Sequence, residues 1–105
     1  MLKSFLTLAI ILTSTVASAE DFVITIKDHI FNPAELTVPA NEKIKLIVKN
    51  QDPTAEEFES HDLGREKVVS GNSEITVLVG PLKPGTYKYV GEFNEATAKG
   101  VIIAK

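Results

Sequence analysis

Hydrophobic and polar residues alternate with a period of two along most of the chain after residue 20. This alternation is typical of β-strands that bury one face and expose the other. Together with short apolar runs, it predicts strands at residues 22–27, 36–38, 43–50, 68–69, 73–79, 86–90 and 100–104. A convincing helical period is not found in any of these segments. The pattern therefore predicts an all-β fold, an antiparallel β-sandwich of about seven strands.

The alternation is interrupted in two places, which are predicted to be loops. Residues 51–65 and residues 91–99 are polar and rich in acidic side chains. A third connector, Gly80–Gly85, contains two prolines and two glycines, and it is predicted to be a rigid reversal between two strands. The candidate chemistry of the chain is concentrated in the two acidic loops.

The first 19 residues have the composition of a secretory signal peptide. Lys3 precedes a mostly apolar run, Phe5–Val16, and Ala17–Ala19 carries small residues at the positions that signal peptidase recognises. The run is broken by hydroxyl residues and is shorter than the ~20 apolar residues of a membrane span. We therefore expect export, cleavage after Ala19, a single mature domain at residues 20–105, and no membrane anchor after cleavage.

The composition excludes several classes of function. The chain has no cysteine, and its one methionine is Met1. Disulfides, thiolate metal sites, Fe–S clusters and cysteine nucleophiles are therefore absent. Eleven Lys and Arg stand against 14 Asp and Glu, a net charge of −3, so no basic stripe is available for nucleic-acid binding. Scattered serines and two histidines do not form a catalytic triad, so no catalytic residue is predicted.

Carboxylates gather in the two interruptions. Glu57 and Glu59 flank Phe58; if Phe58 points into the core, both carboxylates project from the opposite strand face and repel unless a cation or solvent separates them. Glu92 follows a predicted strand, and sandwiches often bring such loops together at one end. With His61, these residues form an oxygen-rich ligand set that suits Fe(II), Mn(II), Zn(II) or Cu(II) better than Cu(I). A solvated acidic rim is the competing interpretation.

The order of motifs resembles that of bacterial cupredoxins. Phe31–Ala40 fits the pattern F-x-P-x-x-L-x-V-P-A, and the strand that follows ends at Asn50. Gly80–Tyr87 and Gly100–Ile103 resemble the closing half of the same family. The resemblance covers nearly all of the mature chain. It implies a cupredoxin-like Greek-key β-sandwich.

A finer resemblance is to the EfeO-type cupredoxin-like domains. Glu56–Ser60, Arg65–Val69 and Gly91–Gly100 are similar to the periplasmic cupredoxin components of bacterial iron-uptake systems. This resemblance implies a periplasmic protein that handles iron or copper and that assists ferrous iron oxidation or delivery. Its partners would be an iron-uptake permease or a periplasmic iron-binding protein.

The chain departs from the blue-copper members of the family at every ligand position. Blue-copper sites use two histidines, a cysteine and a weak axial methionine. The resemblance aligns the first histidine with Glu56 (or Glu57, one residue along) and the cysteine with Gly91. It aligns the second histidine with Asn94 and the methionine with Ala98. It therefore implies that no blue-copper centre is present. EfeO-type relatives often carry a histidine near the position of Asn94. The chain therefore departs from the EfeO-type pattern at this position as well.

These observations lead to two main functional hypotheses; a third, a catalytic ferrous oxidase, needs a redox partner metal for which the sequence offers no site. The first is a periplasmic accessory protein of iron or copper uptake that binds a divalent metal through carboxylates. Its candidate ligands are Glu57, Glu59 and Glu92, with His61 and Glu95 as further members and Glu56 as the register alternative to Glu57. The second is a β-sandwich without metal that docks on a membrane permease or a periplasmic partner.

Overall fold

The computed structural model describes residues 20–105, and the predicted signal peptide at residues 1–19 lies outside them. The described chain folds into nine strands and one short 3₁₀ turn, Glu92–Asn94, between the last two strands. The strands are β1 Glu20–Lys27, β2 Ile30–Asn32, β3 Glu35–Val38, β4 Ile44–Asn50, β5 Glu56–Ser60, β6 Arg65–Val69, β7 Ser73–Val79, β8 Gly85–Gly91 and β9 Lys99–Ala104. The prediction of an all-β fold is confirmed. In residues 20–105 we find no helix with the length and apolar character needed to cross a membrane.

The strands form two sheets. The four-stranded sheet has the order β2-β1-β4-β7, and the five-stranded sheet has the order β3-β9-β8-β5-β6. Two of the pairs, β1 with β4 and β3 with β9, are parallel. The expectation of a wholly antiparallel sandwich is therefore wrong for these pairs. Alternation along a strand indicates which face is buried, but it carries no information about which neighbour the strand pairs with.

The core lies between the sheets and follows the predicted alternation. On β4, Ile44, Leu46 and Val48 are fully buried. At one end, Phe58 and Tyr89 stack with ring centroids 5.2 Å apart, and Phe31 meets both rings edge-on. Aromatic rings in such arrangements contribute beyond the apolar area that they bury. The cluster fixes Phe58, and with it β5, against the interior.

Strand β5 is the main element that the sequence pattern did not predict. It lies within the 51–65 segment and occupies an interior position in its sheet, between β8 and β6. Its inward residues are Glu56, Phe58 and Ser60, all fully or nearly fully buried. The Ser60 hydroxyl donates to the Lys88 carbonyl at 2.7 Å. Because two of the three inward side chains are polar, the hydrophobic alternation that marks a strand is absent.

The turn between β1 and β2 is stabilised by a buried carboxylate. Asp28 and His29 both have positive φ, 52° and 58°, as a tight hairpin turn requires. Asp52 is 7 % exposed, and its two oxygens accept the backbone N–H groups of Asp28 at 2.7 Å and His29 at 3.0 Å. The hydrogen bond from His29 is the main cause that lowers the pKa of Asp52.

We predict that Asp52→Ala lowers the free energy of unfolding by about 1–3 kcal/mol at neutral pH, because two backbone donors lose their acceptor. Asp52→Asn should lose less, since its amide oxygen retains one of the two bonds. Because the folded pKa of Asp52 lies below 3.8, its contribution is present above the unfolded value and is lost as the pH falls through the folded one. Urea denaturation followed by circular dichroism measures both effects. The matched control is Asp21→Asn on β1, an exposed position, and equal midpoints for the Asp21 and Asp52 variants would contradict the prediction.

Candidate functional site

The pairing of β5 brings acidic residues of three elements together on the outer face of the five-stranded sheet. Glu59 lies opposite Glu66 of β6, and Phe58 lies opposite Gly91 of β8. Since Phe58 points into the core, Glu57 and Glu59 project from the other face. Glu92 follows Gly91 and extends the same row. The outer face at this end of the sheet is therefore lined by four glutamates.

Three of these glutamates form a compact group. Glu57, Glu66 and Glu92 each offer one carboxylate oxygen, and these oxygens lie within 4.8 Å of one another. We call these three residues the glutamate cluster. Glu57 is central and only 9 % exposed, whereas Glu66 and Glu92 are exposed. Solvent therefore reaches Glu66 and Glu92, whereas the Glu57 side chain is largely shielded from it.

The cluster disfavours ionisation of its central member. The pKa of Glu57 is raised to about 7, first because its carboxyl shares a hydrogen bond with Glu66, and then because of desolvation and of Glu92. The pKa of Glu59 is also raised, chiefly by desolvation and then by its hydrogen bond with Glu92. At neutral pH Glu57 therefore remains partly protonated, whereas an isolated glutamate would be ionised.

Basic side chains of the neighbouring strand point away from the cluster. Arg65 and Lys67 share the face of β6 that carries buried Val69. The Arg65 Nε donates to the Leu78 carbonyl at 2.9 Å, and the Lys67 Nζ donates to the Thr76 carbonyl at 3.4 Å. Both cations thus bridge the edges of the two sheets. In the described part of the chain, ion pairs form only between a histidine and a carboxylate, so neither Lys nor Arg neutralises the cluster.

The other candidate ligands lie around or below the cluster. His61 is almost fully exposed, and its Nε2 lies 3.4 Å from Glu59 Oε1. Glu95 is exposed and follows the 3₁₀ turn, outside the group of three. Glu56 is 1 % exposed and points into the sandwich, away from the cluster. The structure thus brings Glu57 and Glu92 together and places Glu59 and His61 beside them.

Glu66 is the member of the cluster that sequence reasoning missed. It lies in β6, which begins at Arg65, three residues before the predicted strand at 68–69. Only the register of β6 on β5 brings Glu66 to the cluster. In this register Glu59 lies opposite Glu66, and Glu57 lies opposite Val68. The charge pattern Arg65-Glu66-Lys67 reads as an ordinary solvated segment. Nothing in it distinguishes Glu66 from the other surface glutamates.

The interior below the cluster is filled by the Glu56 side chain. Its Oε1 accepts N–H groups from Glu57 at 2.9 Å and Phe93 at 2.8 Å, and its Oε2 accepts the Asn94 amide at 2.7 Å. A Cβ added at Gly91 would lie 2.7 Å from Glu56 Cδ and 2.7 Å from Ala98 Cβ. The four positions that the resemblance aligned with copper ligands therefore converge in space.

The described fold has known relatives. The family model described as "Cupredoxin-like domain" matches residues 1–104. The chain belongs to the cupredoxin-like domain family. An uncharacterized protein of Rickettsia prowazekii (strain Madrid E) is 54% identical over 80 residues, which make up 76% of this chain and 64% of that protein. The chain thus spans less than two thirds of this relative's length.

Several solved structures share the cupredoxin-like fold at low sequence identity. Auracyanin A, a "blue" copper protein from Chloroflexus aurantiacus, superimposes with a TM-score of 0.72 at 15% identity and covers 84% of this chain and 100% of its own. The metal binding domain of the Cu(I) exporting P-type ATPase CopA from Streptococcus pneumoniae D39, solved with Cu(I), has a TM-score of 0.68 at 13% identity, with 81% and 84% covered. Amicyanin from Paracoccus versutus reaches 0.65 at 14% identity, with 86% of each chain covered.

The interior of this cupredoxin-like domain does not fit a blue-copper ion. The chain supplies no thiolate or thioether there, and the converging positions hold one carboxylate, one amide, a glycine and an alanine. Both oxygens of Glu56 already accept protein hydrogen bonds. A cysteine at position 91 would collide with that carboxylate. The implication that no blue-copper centre is present therefore agrees with the packing of this interior.

We predict that Glu57→Gln makes the stability of the domain less dependent on pH. Because the folded pKa of Glu57 is raised from 4.5 to about 7, its stabilising contribution is present below the unfolded value and is lost as the pH rises through the folded one. Glutamine cannot ionise, so the decline in unfolding free energy between about pH 5 and about pH 8 should be smaller in the variant. Urea midpoints at the two pH values measure this difference. Glu74→Gln on β7, an exposed position, should follow the wild type; a Glu57 variant that also followed it would contradict the raised pKa.

Proposed function

We propose that this domain binds a divalent cation through the glutamate cluster and serves as a periplasmic accessory protein of iron or copper uptake. The observation that carries the proposal is the cluster itself: three carboxylate oxygens from β5, β6 and the 3₁₀ turn lie within 4.8 Å of one another and have no basic partner among residues 20–105. A cation would replace the proton that Glu57 retains and relieve the repulsion between these groups.

The spacing of the three oxygens suits a hard divalent cation. Atoms whose pairwise separations do not exceed 4.8 Å have a common centre within about 2.8 Å of each, and the oxygen bonds of such cations measure about 2.0–2.6 Å. The side chains would have to close by about half an ångström, which rotation of exposed Glu66 and Glu92 can supply. The Glu57 side chain is largely buried and would act as the fixed ligand.

The chemistry of the donors favours some metals over others. Carboxylate and water ligands suit Mn(II), Fe(II) and similar ions better than Cu(I), which prefers sulfur. Glu59 and His61 lie at the rim, where an imidazole could add a borderline ligand for Fe(II) or Cu(II). Because two of the three cluster members are exposed, water would complete the coordination, and we expect binding to be weak and exchangeable. Such binding fits transfer of a metal better than its storage.

The assignment to metal uptake rests on the EfeO-type resemblance and on the predicted signal peptide. We propose export to the periplasm, with an iron-uptake permease or a periplasmic iron-binding protein as the partner. The copper named in the titles of auracyanin A and of the CopA domain belongs to those proteins. For this chain, iron is the metal that the carboxylate donors and the resemblance jointly favour, with copper second.

Titration of the mature domain with Mn(II) tests the binding half of the proposal. Line broadening in NMR spectra should centre on Glu57, Glu66 and Glu92, because paramagnetic Mn(II) relaxes nearby nuclei. Glu57→Gln should weaken the affinity by at least about tenfold. Glu74→Gln, with the same change of charge on the other sheet, should leave it within about twofold.

Proton release provides a second measurement. Near pH 6, binding of Mn(II) should release protons, because Glu57 is still largely protonated there; near pH 8 the release should be much smaller. Calorimetry in buffers of different ionisation enthalpy measures this number. An unchanged calorimetric signal and melting temperature at about millimolar Mn(II), Fe(II) and Cu(II), for wild type and Glu57→Gln alike, would disprove the proposal.

A second candidate function is docking on a basic partner, and one observation favours it. Two exposed apolar side chains border the cluster: Val68, 50 % exposed, pairs with Glu57, and Phe93, 54 % exposed, follows Glu92. An acidic face with apolar neighbours would suit a partner with basic and apolar groups. Association with a purified permease or periplasmic partner that survives a chelator but fails at high salt would favour docking. Association that a chelator abolishes would favour metal binding.

A further inference from the structure

Glu56 is a buried carboxylate that lies outside the glutamate cluster. It is 1 % exposed and lies next to Glu57 on β5, but it points to the opposite side of the sheet. We propose that Glu56 is a positioning residue, which ties β5 to the 3₁₀ turn after β8 and thereby sets the separation of Glu57 and Glu92. The effect on metal binding by Glu57 and Glu92 rests on the proposed function. The hydrogen bonds by which Glu56 connects β5 to the turn do not depend on it.

Three N–H donors of the protein converge on the Glu56 carboxylate. Oε1 accepts the backbone N–H groups of Glu57 and Phe93, and Oε2 accepts the side-chain amide of Asn94. All three distances lie between 2.7 and 2.9 Å. The donors belong to two elements that are distant in sequence. A carboxylate that accepts three N–H groups in a buried site is a strong cross-link between them.

The 3₁₀ turn lacks a side-chain cap of its own. Gly91 precedes the turn and provides no side-chain hydrogen bond to it. The N–H groups at the start of a helical turn need acceptors from outside the turn. Glu56 supplies one to Phe93 from the neighbouring strand. The turn that carries Glu92 is therefore held by a residue of β5.

Glu56 also packs closely against Gly91. The carboxylate lies against the backbone at Gly91, where a Cβ would come within 2.7 Å of Glu56 Cδ. Gly91 has an extended backbone conformation, φ −91° and ψ 104°, which any residue can adopt. The glycine is thus required for space rather than for its backbone conformation. This close approach keeps the two strands in register at the site where the cluster forms.

The consequence for the cluster follows from the chain positions. Glu57 and Phe93 donate to the same oxygen atom, and Glu92 directly precedes Phe93. The backbone segments that carry Glu57 and Glu92 are therefore fixed to a single atom from the inner side of the sheet. Their side chains meet on the outer side. Removal of the Glu56 carboxylate should free the turn and separate these two ligands.

The test compares Glu56→Gln with Glu56→Ala by amide hydrogen exchange at Phe93 and by Mn(II) affinity. In Glu56→Gln the amide oxygen can still accept from Glu57 and Phe93, and the Asn94 amide can turn over to accept from the new N–H group. Both readouts should stay within about threefold of wild type. In Glu56→Ala the exchange at Phe93 should accelerate by at least about tenfold, and the Mn(II) affinity should fall by a similar factor.

If Glu56→Gln loses as much affinity as Glu57→Gln, Glu56 is a metal ligand and the proposal is wrong. If Glu56→Ala is folded and leaves both the exchange at Phe93 and the Mn(II) affinity unchanged, the Glu56 carboxylate does not position the turn and the proposal is wrong. If Glu56→Ala does not fold, Asn94→Ala removes one of the three bonds and should still accelerate exchange at Phe93, by about threefold or more. If the wild type binds no Mn(II), the proposed function fails, and the exchange arm alone decides whether Glu56 ties the turn to β5.

Discussion

The candidate site depends on one constraint, the pairing of β5 on both of its edges. Because β5 lies between β6 and β8, its residues alternate strictly between the interior and the outer face. Phe58 anchors the inner side through its aromatic contacts. Glu57 then has to face outward, where β6 contributes Glu66 and the end of β8 leads to Glu92. A shift of one residue in this register would send the carboxylates into the core and Phe58 into solvent.

Three buried carboxylates show how surroundings decide the behaviour of identical groups. Asp52 accepts two backbone N–H groups, and its pKa is lowered. Glu56 accepts three N–H groups and acts as a cross-link between two elements. Glu57 meets mainly other carboxyls, and its pKa is raised to about 7. The first two carboxylates accept N–H groups of the protein. Glu57 instead shares a hydrogen bond with another carboxyl, Glu66, which requires a proton between the two groups or a cation in its place.

The sequence predicted much of the fold and part of the site. The alternation on β1, β4, β7 and β8 identified both the strands and their buried faces, because hydrophobic burial acts position by position along the chain. The proximity of Glu57 and Glu59 followed from strand geometry alone. Strand β5 was not predicted as a strand, since its inward positions carry Glu56 and Ser60. Glu66 was missed because only the pairing of β6 with β5 brings it to the cluster.

The sequence by itself determined the all-β class, the absence of sulfur ligands and the concentration of carboxylates in two segments. Each of these is a property of composition or of local periodicity, which does not require knowledge of distant neighbours. The tertiary structure decided which carboxylates meet, that Glu56 and Glu57 serve opposite faces, and that Arg65 and Lys67 turn away from the cluster. These are properties of strand register and order. They arise from contacts between residues far apart in the chain, and no local pattern records them.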